Sequence, residues 1–351
     1  MNPTQRAIRA VAGALVVVAA ALLAAPARGE GPALATYQGA DRLARLIEGA
    51  KREGEVTIYT STPVEDIKVL TDAFERKYGV RTKVWRASSE KVLQRGVAEA
   101  RAGRFDVDVF ETNGPELEAL VREKLLTPVW SPALPSLVAE ARFPHQSWVG
   151  TRLVVFAFAY NTTLVRKADL PAAYAGFADP KWKGKLGIEA EDADWFATVS
   201  GVLGETAAEK LFRDVVATNG VSIRKGHTLL ANLVAAGEVP LALTVYNYKA
   251  EQLKNKGAPI DWFVIPPAIA RVNGVGVAAR PPHPNAALLW YEFEIGDEGQ
   301  QLLLSREFVP TNRNIETPLN RFPLRFVDSK AMLDDAGKWE RRYAEIFGRP
   351  R

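Results

Sequence analysis

Four carboxylates fall within six residues at Glu189-Ala190-Glu191-Asp192-Ala193-Asp194, directly ahead of Trp195. Acids at the head of a helix suit its dipole. The same residues, with Asp192 and Asp194 turned into a cleft, can hold a metal ion or an amine, and Trp195 can offer a flat cation-binding face. His227-Thr228 stand ahead of a second helical stretch, and His227 is one of three histidines in 351 residues. It serves either as a hydrogen-bonded structural residue or as a ligand. Tyr246-Asn247-Tyr248 follow the β-rich run Leu241–Val245. If that strand continues, one ring at most faces a cleft; if the chain turns there, both can. Phenolate oxygens are hard donors suited to a hard cation such as ferric iron.

Two polar turns complete the candidate set. In Tyr59-Thr60-Ser61-Thr62-Pro63-Val64-Glu65, Thr62 is placed to cap a helix, Pro63 suits its first turn and Glu65 completes a capping box. The hydroxyls of Thr60 and Ser61 and the free amides of the turn favour an anionic or polar ligand. One residue can serve both roles. In Glu111-Thr112-Asn113-Gly114-Pro115, Asn113 is a natural cap and Gly114 lets a ligand approach the backbone.

These turns need elements to hold them. Helical periodicity predicts helices over 37–52, 64–78, 90–102 and 115–124, with β-rich runs at 56–60, 82–86 and 107–111 between them. Strands alternating with helices make one α/β lobe. The apolar run 152–160 reads as a buried strand. A second set follows, with strands at 186–188 and 241–245 and helices at 195–203, 207–217 and 229–236. A strand at 274–279, helices near 285–293 and 298–305, and an amphipathic helix near 331–347 close the chain. The expected division is a signal peptide 1–27, a first lobe 36–150, a hinge crossing and second lobe 151–266, a return segment 267–318 and a C-terminal helical extension 319–351. Two such lobes suit a cleft that traps a ligand.

The amino terminus indicates export. Arg6 and Arg9 precede the uncharged run Val11–Ala25, and Ala25-Pro26-Ala27 supplies small residues at a cleavage site. The run is about 15 residues, short of the roughly 20 a spanning helix needs. The reading is therefore a cleaved signal peptide and a periplasmic chain of about 320 residues, long enough for two cores. With no cysteine there is neither a disulfide nor a lipid-modified Cys anchor. The formal charge of +4 is interleaved along the chain, which argues against a nucleic-acid partner. No G-x-S-x-G, H-E-x-x-H or G-x-x-x-x-G-K-[ST] is present, leaving an exported enzyme as a remote alternative.

Several runs together carry a resemblance. Gly54-Glu55-Val56-Thr57-Ile58-Tyr59-Thr60-Ser61, Phe105-Asp106-Val107-Asp108-Val109-Phe110-Glu111, Lys181-Trp182-Lys183-Gly184-Lys185-Leu186-Gly187, Gly237-Glu238-Val239-Pro240-Leu241-Ala242 and Phe308-Val309-Pro310-Thr311-Asn312 resemble the family 1 extracellular solute-binding proteins, and among them the ferric-iron type. The resemblance implies the class II periplasmic binding fold: two α/β lobes, a two-crossing hinge and a ligand cleft. It also implies a monomer that delivers its ligand to an ABC permease in the inner membrane. Ferric iron as cargo would draw on Asp192, Asp194, His227, Tyr246 and Tyr248. The family's pattern is met only in part. Its histidine after the first strand is replaced by the Thr60–Pro63 turn, its glutamate aligns with Asn113, and the first of its paired tyrosines aligns with Asn247. The turn that holds an anion in the family is acidic here. A small organic anion or an amino-phosphonate or carboxylate solute is the alternative ligand.

Overall fold

A computed structural model describes residues 31–348; the signal-peptide reading falls on residues outside these. The first lobe opens with α1 (Gly31–Leu34), α2 (Arg42–Glu53), β1 (Glu55–Thr60), α3 (Val64–Tyr78), β2 (Arg81–Arg86), α4 (Ser89–Arg101), β3 (Val109–Asn113) and α5 (Gly114–Arg122). The long β4 (Val149–Asn161) leads to β5 (Leu186–Glu189), α6 (Ala193–Leu203), α7 (Glu205–Asn219), β6 (Val221–Arg224), α8 (His227–Ala236), β7 (Leu241–Tyr246), α9 (Asn247–Asn255) and β8 (Ile260–Phe263). β9 (Ala268–Val277) returns, followed by α10 (Pro284–Ile295), α11 (Asp297–Ser305), β10 (Val309–Pro310), β11 (Leu324–Phe326) and α12 (Ser329–Phe347). Among the described residues no helix is long and apolar enough to cross a membrane.

One curled sheet runs through both lobes in the order β2-β1-β3-β9-β4-β7-β5-β6. The outer trios are parallel, and β9 and β4 join them antiparallel. β4 is shared: Val149–Val155 pairs with β9, whereas Phe156–Tyr160 pairs with β7. Its register shifts once against each partner, between Gly150 and Arg152 and between Ala157 and Ala159. Such irregularities bend a strand and let it change partners.

Each lobe has its own core. In the first, Val56, Ile58, Ile67, Leu70 and Phe74 meet Leu288, Leu289 and Trp290 of α10. In the second, Phe158, Phe177, Phe196, Phe212 and Leu243 meet Trp339, Tyr343 and Phe347 of α12. α12 also packs on α5 of the first lobe. Arg122 pairs with Asp334 at 2.5 Å on that side, and Lys338 and Arg342 pair with Glu205 at 2.9 and 2.6 Å on the other.

Helix ends follow local chemistry. α3 has the expected bounds, with Glu65 and Asp66 in its first turn, Arg76 and Lys77 in its last, and Gly79 in the left-handed conformation that stops it. The expected capping box is absent. Pro63 occupies the cap position and no side chain bonds the helix amides, because the Thr62 hydroxyl is engaged elsewhere. The leading helix starts at Arg42 and not near Tyr37, whose hydroxyl donates to Asp41. The return strand begins at Ala268, six residues before the expected Gly274, since Arg271 and Asn273 are buried within it. β6, α9 and β8 have short or mixed patterns that periodicity did not single out.

Arg152 of β4 is buried among carboxylates. Its Nη1 lies 2.7 Å from Glu111 and 3.9 Å from Glu294, and its Nη2 donates to the Thr62 hydroxyl at 2.5 Å. Thr60 and Thr62 donate to the two Glu111 oxygens at 3.1 and 2.6 Å. Burial and the charge of Glu111 push Glu294 well above the usual carboxylate range, with Arg152 opposing the shift. Arg152→Met would strand Glu111 without its counter-charge. The expected loss of unfolding free energy is about 3–5 kcal/mol, read by urea denaturation. A loss no larger than the about 1 kcal/mol of a surface pair would show that the network is dispensable.

Candidate functional site

The carboxyl ends of parallel strands in an open α/β sheet are where ligands bind, because helix N-termini converge there. In the second lobe these ends are Glu189 on β5, Arg224 on β6 and Tyr246 on β7. Glu189 accepts the amides of Glu191 at 2.5 Å and Gly226 at 2.8 Å, so its carboxylate fixes both following turns. The Tyr343 hydroxyl of α12 donates to the Glu189 carbonyl at 2.5 Å.

Those turns deliver Asp192 and His227. Asp192 precedes α6 and is 1% exposed, with one oxygen 3.0 Å from His227 Nε2. Its other oxygen, and Nδ1 of His227, are buried without a hydrogen-bond partner. Glu189, Asp192 and His227 each offer a ligand atom, all within 4.8 Å of one another. The His227 ring stacks on Tyr246, with centroids 3.5 Å apart, and Phe156 of β4 packs edge-on against Tyr246.

β9 closes the cluster from the hinge side. Arg271 is 6% exposed, donates to Asp194 at 2.6 Å and also to the Tyr246 hydroxyl, and its guanidinium sits over Phe156. Two residues on, and so on the same strand face, Asn273 donates to Asn113 Oδ1 at 2.9 Å. Glu116 approaches from α5 with one carboxylate oxygen buried and unpartnered.

Electrostatics follow from this crowding. Burial pushes the Tyr246 phenol well above its usual range, with Asp192, Asp194 and Glu189 adding to the effect, so it stays neutral. Burial and Asp192 together raise Glu189. For His227, burial favours the neutral ring, but Asp192 outweighs it and the net shift is upward. Burial also acts against the Arg271 charge, and Asp194 overcomes it, so the guanidinium remains charged. Glu116 is pushed up to about 7, chiefly by burial, with Arg271 opposing the shift.

The residues expected from sequence separate into groups. Asp192, His227 and Tyr246 come together as expected, and Asp194 joins them through Arg271. Thr228 shares the first turn of α8 with His227. Trp195 does not face the cleft: it is 1% exposed in the second-lobe core against Phe212, because the apolar face of α6 turns inward there. Tyr248, in the first turn of α9, is buried in the first-lobe core 4.2 Å from Phe308 between ring centroids, and it also stacks beside Tyr246 at 5.9 Å, so it borders the cluster. Thr60 and Thr62 are buried within the Glu111–Arg152 network, and Ser61 accepts from Thr112 at 3.2 Å. The side chains of Thr60 and Thr62 are therefore committed internally, while Ser61 stays half-buried. Asn113 holds the cap position without a side-chain cap bond because Asn273 takes its oxygen. Gly114 admits the Ser329 hydroxyl of α12 where a β-carbon would sit, and not a ligand.

Arg271 and Glu116 were not singled out, and Glu189 was named only among the four carboxylates of the acidic turn. A lone arginine inside Ala268-Ile269-Ala270-Arg271-Val272 was the available signal for the first. Two surface cavities of the first lobe, about 620 Å³ beside Trp130 and about 370 Å³ beside Arg280, share no lining residue with this cluster.

Residues 107–329 match the family described as bacterial extracellular solute-binding protein. The Fe(3+)-binding periplasmic protein of Serratia marcescens is 24% identical over 73% of this chain and 78% of its own length. The major ferric iron-binding protein of Neisseria meningitidis is 25% identical over 77% and 85%. Iron-bound HitA from Pseudomonas aeruginosa superposes with a TM-score of 0.72 at 22% identity, covering 82% of this chain and 99% of that one. AfuA of Actinobacillus pleuropneumoniae, with fructose-6-phosphate bound, gives 0.74 at 20% identity, covering 84% and 98%. These superpositions share the two-lobe α/β fold described above.

Glu116 offers a test of the cluster's electrostatics. Its folded pKa is raised, so its contribution to stability is full below the ordinary glutamate range and is lost as pH rises through about 7. Thermal unfolding between pH 5 and 8 should show wild type losing stability relative to Glu116→Gln. A difference that stays flat with pH would contradict a buried, unpaired carboxylate.

Proposed function

The chain belongs to the bacterial extracellular solute-binding proteins, and from that premise we propose that it captures ferric iron in the periplasm and delivers it to an ABC-type permease. The observation that carries this is the convergence of Glu189, Asp192 and His227 within 4.8 Å, capped by the Tyr246 ring. Buried acceptors without partners are costly unless something positive joins them, and Asp192 and His227 each present one. Carboxylate and phenolate oxygens suit a hard cation. The relatives in Serratia marcescens and Neisseria meningitidis, named for ferric iron, support the same cargo.

Capture would cost Tyr246 its proton. The cation supplies the stabilisation that the phenolate lacks in the empty site, in the way a bound metal deprotonates its ligands. Family membership and the periplasmic names of the relatives support the location and the permease partner.

One feature favours a second reading. Arg271 is buried with its Nε unpartnered, a group that recognises carboxylate or phosphate, and a structural neighbour carries a sugar phosphate. A small organic anion resting on Arg271 is the corresponding ligand.

Titration of the purified protein with ferric citrate separates the two. Iron bound through Tyr246 should give a visible tyrosinate-to-iron charge-transfer band. Tyr246→Phe should abolish the band, and Tyr248→Phe should leave it in place. A colourless protein that retains no iron, and shows a small organic mass by native mass spectrometry, would establish the anion reading instead.

A further inference from the structure

A fixed positive charge reaches the buried carboxylates of this site: Arg271 lies beside Asp194, while the His227 ring stands beside Asp192. Arg271 does more than balance one acid. It also donates to the Tyr246 hydroxyl oxygen, the atom that would coordinate a cation. An oxygen that accepts a guanidinium N–H has less electron density to give a metal, and a fixed positive charge close by repels one. Arg271 enters from β9, whereas Asp194 and Tyr246 belong to second-lobe elements. The contact therefore ties the crossing strand to both the acidic turn and the stacked tyrosine.

We propose that Arg271 is a resident counter-ion: its guanidinium stands in for the cargo cation in the empty site, and cargo enters by displacing its contact with Tyr246. The inference rests on the reading that the cargo is a ferric ion. It gives the site a threshold. A divalent cation gains too little from the carboxylates to displace a guanidinium that is already charged and hydrogen-bonded. A trivalent ion gains more from the same oxygens, so selectivity comes from competition with the chain's own charge. The arrangement also keeps Asp194 from being left buried without a counter-charge while the site is empty.

The test is equilibrium binding of ferric citrate and, separately, of Zn²⁺ to wild type, Arg271→Met and Arg271→Lys, with folding followed by circular dichroism. Arg271→Met should bind iron about tenfold tighter or more and should gain Zn²⁺ binding that wild type lacks. Arg271→Lys, which keeps the charge, should remain close to wild type. A purely structural lesion does not tighten binding. If the methionine variant fails to fold, Arg271→Gln, whose amide can still donate to Asp194, carries the same expectation. If wild type binds iron and the neutral variants bind it equally or more weakly, the counter-ion role is overturned while the iron reading stands. Tightening by Arg271→Lys as large as that by Arg271→Met would overturn it too. If wild type binds no iron and a neutral variant does, the inference holds in its strongest form. If neither binds, both the inference and the iron reading fall.

Discussion

A guanidinium taken out of water must be met by an acid, and the two strands that run between the lobes each carry one. Arg152 on β4 is answered by Glu111 and Thr62, and Arg271 on β9 by Asp194 and Tyr246. The first pairing binds the crossing strand to the first lobe, and the second binds the return strand to the second lobe. Separating either arginine from its acid would leave a buried charge unpaired, so the pairs tie the two strands to the lobes they join.

The two arginines differ in what is left over. Around Arg152 the hydroxyls of Thr60 and Thr62 are used, and burial disfavours the charge of the second acid, Glu294. Around Arg271 there remain an unpartnered Asp192 oxygen, an unpartnered His227 nitrogen and a partly buried Glu116. Both clusters keep buried polar atoms without a hydrogen-bond partner: Arg152 Nε and a Glu294 oxygen in the first, an Asp192 oxygen, His227 Nδ1 and Arg271 Nε in the second. What distinguishes the second is the convergence of Glu189, Asp192 and His227 within 4.8 Å.

Much of this was legible in the sequence. The alternation of strands and helices, the bounds of α3 and the acidic turn ahead of α6 follow from periodicity and dipole rules. Asp192, His227 and Tyr246 were expected together because they follow strand ends, and they do lie together. The misses share a cause. Trp195, Thr62, Gly114 and Tyr248 were judged by what their types can bind, but tertiary packing had already assigned them: to an aromatic core, to Glu111 and Arg152, to Ser329 and to Phe308. Arg271 escaped for the opposite reason. Its neighbours are apolar, so a strand pattern that should have begun at Ala268 appeared broken.

α12 has a consequence for how the chain is made. Trp339, Tyr343, Ile346 and Phe347 complete the apolar core of the second lobe, yet they follow its other core residues in sequence. During synthesis from the amino terminus the first lobe also waits, because β9, α10 and α11 come late in the chain. A chain growing on the ribosome can therefore close neither core until these later elements have emerged.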